Sequence, residues 1–270
     1  MPHAEHTLFT GSIPAFYDRH LGPVIFEPYA RDLARRVPAA EGVRVLETAC
    51  GTGIVTRQVL ALLPASASYA ATDLNQDMVD HARAAIGSDR RVEWRTADAQ
   101  ALPFGDGAFD ALIMQFGMMF VPDKDRALAE ARRVLAPGGR FVFSVWDAWA
   151  KNPFGRITYE VGASDYPDDP PSFYRTPFGD HDAAAHKARA ERAGFAEVTV
   201  EGVGFEGLGE SAESFAAGLV RGNPIAHDIM SRGTVGLEEF ERRLADALRR
   251  ELGDRPLRTP LHAWVVTARR

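Results

Sequence analysis

Residues 45–53 read Val45-Leu46-Glu47-Thr48-Ala49-Cys50-Gly51-Thr52-Gly53, and this stretch decides the fold. An apolar strand ends in an acid, passes through a turn of small residues, and enters a helix. That order of elements builds a nucleotide-type pocket at the carboxyl end of a strand. The acid narrows the ligand, because a carboxylate there repels a pyrophosphate and suits a nucleoside carrying positive charge. The dinucleotide fingerprint G-x-G-x-x-G is incomplete, since Thr56 stands where its third small residue belongs.

On both sides of this turn, strand and helix patterns alternate. Val43 to Leu46 reads as the first strand, and Ile54 to Leu63 as a helix stopped by Pro64. Ser68 to Thr72 is the next strand. Asn75 is a candidate cap for a helix to Ile86, closed by Gly87. Val92 to Thr96 alternates as a strand, and Phe109 to Phe116 has the apolar run of a central strand covered on both faces. Asp123 can cap a helix to Ala136, stopped by Pro137-Gly138-Gly139, and Arg140 to Trp146 is a further strand. Upstream, Ala15 to Val37 reads as helix interrupted near Gly22-Pro23 and Pro28. Downstream the pattern loosens over Lys151 to Asp180, rich in Pro, Gly, Asp and aromatic residues. A helix from Asp182 to Gly194 and a strand from Ala196 to Val203 follow. Two helices between Phe205 and His262 and a last strand from Ala263 to Ala268 complete the order. Such alternation implies a parallel sheet with helices on both faces. Ligands of these sheets lie beyond the carboxyl ends of the strands, where Glu47, Asp73, Asp98 and Gln115-Phe116 are expected to converge.

The 270 residues carry 31 Lys and Arg against 37 Asp and Glu, a net charge of −6, with no basic stripe. This argues against a nucleic-acid partner. The single cysteine, Cys50, excludes a disulfide within the chain and suits a small apolar filler in the glycine turn. No basic-then-apolar leader is visible, and no apolar run approaches the roughly 20 residues of a bilayer span. A cytoplasmic protein without a membrane span is expected. No cluster has metal-ligand spacing, so no metal is expected.

Two further motifs define the expected crevice. In Thr72-Asp73-Leu74-Asn75-Gln76-Asp77-Met78, Asp73 closes a strand about twenty residues after Gly53, the place of an acid that accepts hydrogen bonds from ribose hydroxyls. Leu74 and Met78 can sandwich an adenine ring, although Met78 fits a core position equally well. In Asp98-Ala99-Gln100-Ala101-Leu102-Pro103-Phe104-Gly105-Asp106-Gly107-Ala108-Phe109-Asp110, Asp98 can accept from the adenine amino group. Asp106 and Asp110 read as structural.

Together with Leu135-Ala136-Pro137-Gly138-Gly139, these motifs resemble class I S-adenosylmethionine (SAM)-dependent methyltransferases, in the branch of the ubiquinone and menaquinone C-methyltransferases and many small-molecule enzymes. The matched region is about Val43 to Trp146. The resemblance implies a Rossmann-like α/β fold: a seven-stranded, mostly parallel sheet with helices on both faces, an antiparallel last strand and a helical cap. It implies SAM as cofactor and S-adenosylhomocysteine as product. Glu47, Ala49 and Gly51 would face the methionine part, and Asp73 and Leu74 the ribose and adenine. Asp98 and Ala99 would hold the adenine, and Gln115 and Phe116 the inner edge. Tyr17 fits an N-terminal aromatic that covers the cofactor, or a tyrosine that packs a helix.

The expected organisation is an N-terminal helical lid over 1–40, a SAM-binding core over 41–147, and a region over 148–270 that supplies cap and acceptor-site inserts with the last two strands. Phe154, Tyr159, Tyr166, Phe173, Tyr174 and Phe178 suggest a pocket for a flat or apolar small-molecule acceptor, or the packing of a small lobe. Methyl transfer from a sulfonium needs a base only for some acceptors. Among His20, His181, His227 and His262, His181 is the candidate, where the Pro-rich segment enters a helix. A nicotinamide dehydrogenase is the rival enzyme, disfavoured by Glu47 and the missing third glycine. A non-catalytic SAM-binding module is the other alternative.

Overall fold

In a computed structural model describing residues 7–270, Val45 and Leu46 are fully shielded at the centre of one sheet. The first six residues of the expected lid, including the stretch read for a leader, lie outside the described residues. β1 (Arg44–Thr48) runs parallel between β2 (Ser68–Asp73) and β4 (Phe109–Gln115). β3 (Val92–Thr96) lies beyond β2 and β5 (Leu135–Trp146) beyond β4, both parallel. β7 (Leu257–Arg269) pairs antiparallel with β5, and β6 (Ala196–Gly209) antiparallel with β7. The seven-stranded order is β3-β2-β1-β4-β5-β7-β6. The order reverses between β1 and β4, which places a crevice at their carboxyl ends.

Ahead of the sheet, α1 (Ile13–Phe16), a π-helix (Tyr17–Phe26) and α2 (Glu27–Arg36) form one continuous helical run. The expected interruption at Gly22-Pro23 is replaced by the wider π-helical winding, in which the Glu27 N–H donates to the Gly22 carbonyl. Such winding accommodates a proline that lacks a donor, and it recurs at functional sites. Thr52 Oγ1 donates to Asp18 at 3.2 Å, tying the π-helix to the glycine turn.

α3 (Ile54–Leu60), α4 (Gln76–Ile86) and α5 (Lys124–Val134) connect the parallel strands. Asp123 caps α5 by accepting from the Arg126 N–H, and Gly87 ends α4 at φ +75°. Asn75 occupies the N-cap position of α4 without a side-chain cap bond; its side-chain amide lies 3.5 Å from Asp73 Oδ1 instead. Asp106 and Asp110 are structural: Asp110 makes a two-pronged pair with Arg44, and Asp106 pairs with Arg133.

Three differences from the sequence reading share one cause, the pairing of distant segments. α5 stops at Val134, because buried Leu135 already pairs with Phe109, and Pro137-Gly138-Gly139 becomes part of β5 with a bulge at the Phe109/Ala111 register shift. β6 and β7 extend well past the expected Val203 and Ala263, pairing to Gly209 and Leu257. Their glycines hide the strand pattern. At Gly202 a Cβ would lie 2.9 Å from the His262 ring, so the missing side chain is what admits the imidazole. Finally, the loosened region contains α6 (Pro153–Asp165) and α7 (Arg175–Gly179), followed by α8 (Ala183–Arg192). Asn152 seats α6 by accepting from the His262 N–H and donating to the carbonyls of Asp147 and His262.

Between β6 and β7 the chain forms α9 (Ala212–Arg221), α10 (Ile225–Arg232) and α11 (Leu237–Leu252), one more helix than expected. Phe240, Leu244 and Leu248 bury one face of α11, as its 3.6-residue pattern requires. Among the described residues, no helix is long and apolar enough to cross a membrane.

Candidate active site

Beyond the carboxyl ends of β1, β2 and β4 lies a cavity of about 370 Å³, the size range of a small-molecule or cofactor site. Backbone geometry shapes its floor. Ala49, Gly51 and Phe116 adopt φ of 54°, 54° and 52°, so strand tips on both sides of the switch point turn in left-handed conformations. Two of these residues are not glycine, a form of strain that concentrates at functional sites. Gly117 lies between them: a Cβ there would sit 2.6 Å from the Ala49 Cβ and 2.9 Å from Met114 Cγ. Gly117→Ala is therefore expected to destabilise the fold by about 1–3 kcal/mol and to weaken ligand binding, read by urea denaturation and calorimetry. Unchanged values in both measurements would show that the floor is not this tightly set.

Asp73 is buried at the end of β2. Its Oδ2 accepts from the Gly51 N–H at 2.9 Å and its Oδ1 from the Asn75 N–H at 2.9 Å. The glycine turn and the start of α4 are thus organised around this one carboxylate. Burial raises its pKa despite these hydrogen bonds, and lone pairs remain for a ligand. Buried Met78, exposed Leu74 and half-buried Ala99 line the same cavity. Asp98 lines it too, with Oδ1 accepting from the Gln100 N–H at 2.8 Å. Gln115 donates from Nε2 to the Phe26 carbonyl at 3.3 Å, which leaves its buried Oε1 without a partner among the described residues. Tyr17 stacks on Phe26, with ring centroids 4.5 Å apart and planes at 14°. Burial first, then the negative charges of Asp73 and Asp18, push the Tyr17 hydroxyl pKa upward, so it remains a donor.

The structure thus brings Tyr17, Ala49, Gly51, Asp73, Leu74, Met78, Asp98, Ala99, Gln115 and Phe116 to one cavity. Glu47 is a correction. It is fully buried but does not line the cavity; its Oε2 accepts from Thr56 Oγ1 and from the Tyr69 hydroxyl, each at 2.6 Å. Desolvation raises its pKa to about 7. Its side chain turns beneath the glycine turn and joins β1 to α3 and β2. His181 is the second correction. It is exposed, its Nδ1 lies 2.8 Å from the Phe178 carbonyl, and it lines neither this cavity nor the one beside it.

That second cavity, of about 50 Å³, shares Phe9, Tyr17, Phe116 and Phe120 with the first. Phe154, Phe173, Tyr174 and Phe178 line it as expected. Tyr159 and Tyr166 do not: Tyr159 stacks on Trp149, and the Tyr166 hydroxyl accepts from the Val235 N–H. Trp146 forms a wall, stacked on Phe116 at 3.9 Å. Phe9 stands between the cavities with edge contacts to Tyr17, Phe120 and Phe173. Sequence reasoning missed Phe9, Met114, Gly117 and Phe120. Met114 and Gly117 carried a local signal, since they directly flank the expected Gln115-Phe116 tip.

The chemistry of the first cavity discriminates among ligands. Among the described residues its charged lining groups are Asp73 and Asp98, with no Lys, Arg or His. Such a lining disfavours a pyrophosphate and suits a nucleoside bearing positive charge. Partnerless Gln115 Oε1 adds an acceptor for an N–H donor. These residues fit SAM, which carries a ribose diol, an adenine, an ammonium and a sulfonium.

Comparison with known proteins agrees with this geometry. Residues 46–143 match the family described as "Methyltransferase domain". A ubiquinone/menaquinone biosynthesis C-methyltransferase UbiE of Geotalea uraniireducens is 33% identical over 130 residues, covering 47% of this chain and 55% of that protein. The chain spans about half the length of the curated relatives it matches. Among solved structures, phosphoethanolamine N-methyltransferase 2 of Haemonchus contortus, in complex with S-adenosyl-L-methionine, superposes with a TM-score of 0.62 at 16% identity, covering 98% of this chain and 58% of that one. The [4+2]-cyclase SpnF superposes with a TM-score of 0.59 at 22% identity, covering 91% and 81%. At these identities the structural likeness concerns the fold.

Proposed function

We propose that this chain, which carries a methyltransferase domain over 46–143 and resembles the UbiE branch of the class I fold, transfers a methyl group from SAM to a small, flat, largely apolar acceptor. One observation carries the reading: an acid-lined cavity of cofactor size shares a wall with an aromatic chamber. Asp73 would hold the ribose, Leu74, Met78 and Ala99 the adenine, and Asp98 its amino group. Ala49, Gly51 and Gln115 would hold the methionine end. When bound, SAM supplies a methyl group on a sulfonium, already activated for displacement.

The residues of the chain act mainly by placement. Phe116, stacked on Trp146, forms part of the shared wall, and the aromatic chamber orients a flat acceptor and keeps water out. Among the described residues, no Asp, Glu, His, Lys or Arg lines that chamber. In this reading catalysis rests on proximity and desolvation rather than on a base held there. Phe9 limits the space for an acceptor. Phe9→Ala is expected to shift kcat/KM by about tenfold toward bulkier acceptors. An unchanged ranking of acceptors by size would show that Phe9 does not bound the chamber.

The test combines calorimetry with S-adenosylhomocysteine and a screen for transfer of radiolabelled methyl groups to neutral aromatic acceptors. Binding with acceptor-dependent transfer is expected. Binding without transfer to any acceptor would favour the alternative reading, a SAM-binding module without methyltransferase activity; a [4+2]-cyclase shares the fold, so the fold alone does not decide. Absence of binding would remove both. A cytoplasmic location belongs to the same proposal.

A further inference from the structure

We propose that Asn223 is the polar anchor of the acceptor chamber, so that the chamber selects a neutral, flat molecule carrying one hydrogen-bond donor. This inference rests on the reading of the aromatic chamber as the acceptor site. Among the described residues that line the chamber, the polar side-chain groups are the Asn223 amide, the hydroxyls of Tyr17 and Tyr174, and the indole N–H of Trp146. Tyr17 also lines the first cavity, and its hydroxyl lies in the field of Asp73. The Tyr174 hydroxyl is committed, donating to the Leu219 carbonyl at 2.7 Å.

Asn223 is only 7% exposed, just past the end of α9. Its Nδ2 donates to the Leu219 carbonyl at 3.2 Å and to the Tyr174 oxygen at 3.3 Å, with the Gly218 carbonyl at 3.5 Å. An amide nitrogen has two hydrogens, and these contacts use them. The orientation of the amide is thereby set, and Oδ1 is the atom left to receive a donor. Gly222 helps to bring this group to the chamber: a Cβ there would lie 3.0 Å from the Tyr17 backbone nitrogen, so glycine permits the close approach of α9 to the π-helix.

The energetic logic is selective. A hydroxyl or N–H entering an apolar chamber loses its water, a net cost unless an acceptor replaces it. Asn223 Oδ1 supplies that acceptor. A charged molecule finds no counter-charge among the described lining residues and is excluded.

Fluorine NMR titration in the presence of S-adenosylhomocysteine tests this with 4-fluorophenol, fluorobenzene and 4-fluorobenzoate. The intact protein is expected to bind 4-fluorophenol at least tenfold more tightly than fluorobenzene, about 1.4 kcal/mol, and not to bind 4-fluorobenzoate. In Asn223→Leu the order of the two neutral probes should reverse or level, with the affinity for S-adenosylhomocysteine retained. Equal affinities of the intact protein for the neutral probes, or a phenol preference that survives Asn223→Leu, would overturn the assignment. Failure of S-adenosylhomocysteine to bind the intact protein would instead overturn the cofactor reading beneath it. The comparison of probes on the intact protein stands even if the variant folds poorly.

Discussion

Asp73→Ala should weaken S-adenosylhomocysteine binding by at least about tenfold, because charge-assisted hydrogen bonds contribute roughly 1.5–3 kcal/mol each. The effect has two sources. The carboxylate would accept from the ribose, and it also accepts from the N–H groups of Gly51 and Asn75. Removing it frees two donors that shape the glycine turn and the start of α4. Asp73→Asn keeps an acceptor oxygen and loses the charge, so an intermediate loss is expected. The pH dependence has a defined sign. Burial raises the pKa of Asp73, and the protonated acid is the weaker acceptor. Affinity should therefore fall as pH is lowered through that raised value, and the Asp73→Asn variant should lose this dependence. Calorimetry across acidic and neutral pH checks both statements; unaltered affinity in a folded Asp73→Ala protein would remove Asp73 from the site.

Glu47→Gln should stabilise the protein at alkaline pH while leaving ligand affinity nearly unchanged. Glu47 is buried and its pKa is raised to about 7, chiefly by desolvation, against an ordinary value of 4.5. The folded state therefore holds a proton through the window between about 4.5 and 7 in which the unfolded chain has lost it. A group raised in this way favours the folded state most at pH below its unfolded value. That contribution declines as pH rises through the window, by on the order of 3 kcal/mol, and is lost above the folded pKa. Glutamine keeps an oxygen that can accept from Thr56 and Tyr69 and carries no charge to desolvate. Urea denaturation at pH 5 and pH 8 should show a smaller loss of stability between them in the variant, about 1 kcal/mol or more by the same linkage. An unchanged difference would mean that Glu47 titrates normally.

These two acids also show what the sequence could reveal. Asp73 was legible because its role follows from local order: a strand end, a fixed distance from the glycine turn, and the start of a helix. Glu47 occupies an equally suggestive place at a strand tip. Its direction depends on Thr56 and Tyr69, which approach only once α3 and β2 pack around β1. The succession of strands and helices was readable from their alternating patterns, and the seven-stranded sheet with an antiparallel last strand from the resemblance; the order β3-β2-β1-β4-β5-β7-β6 came only with the structure. The lengths of β6 and β7 were not readable either, since Gly202, Gly204, Gly207 and Gly209 carry no side-chain pattern. His181 stands out by its neighbours in sequence, yet its imidazole Nδ1 lies against the Phe178 carbonyl at the end of α7. Asn223 and Phe9 lie far from every motif and gain meaning only where their segments meet Tyr17.

A crystal structure of the protein with S-adenosylhomocysteine tests the central claim most directly. The ribose diol is expected on Asp73, the adenine between Leu74, Met78 and Ala99, and the sulfur directed past Phe116 toward the aromatic chamber. Ligand density elsewhere, or a sulfur facing away from that chamber, would contradict it.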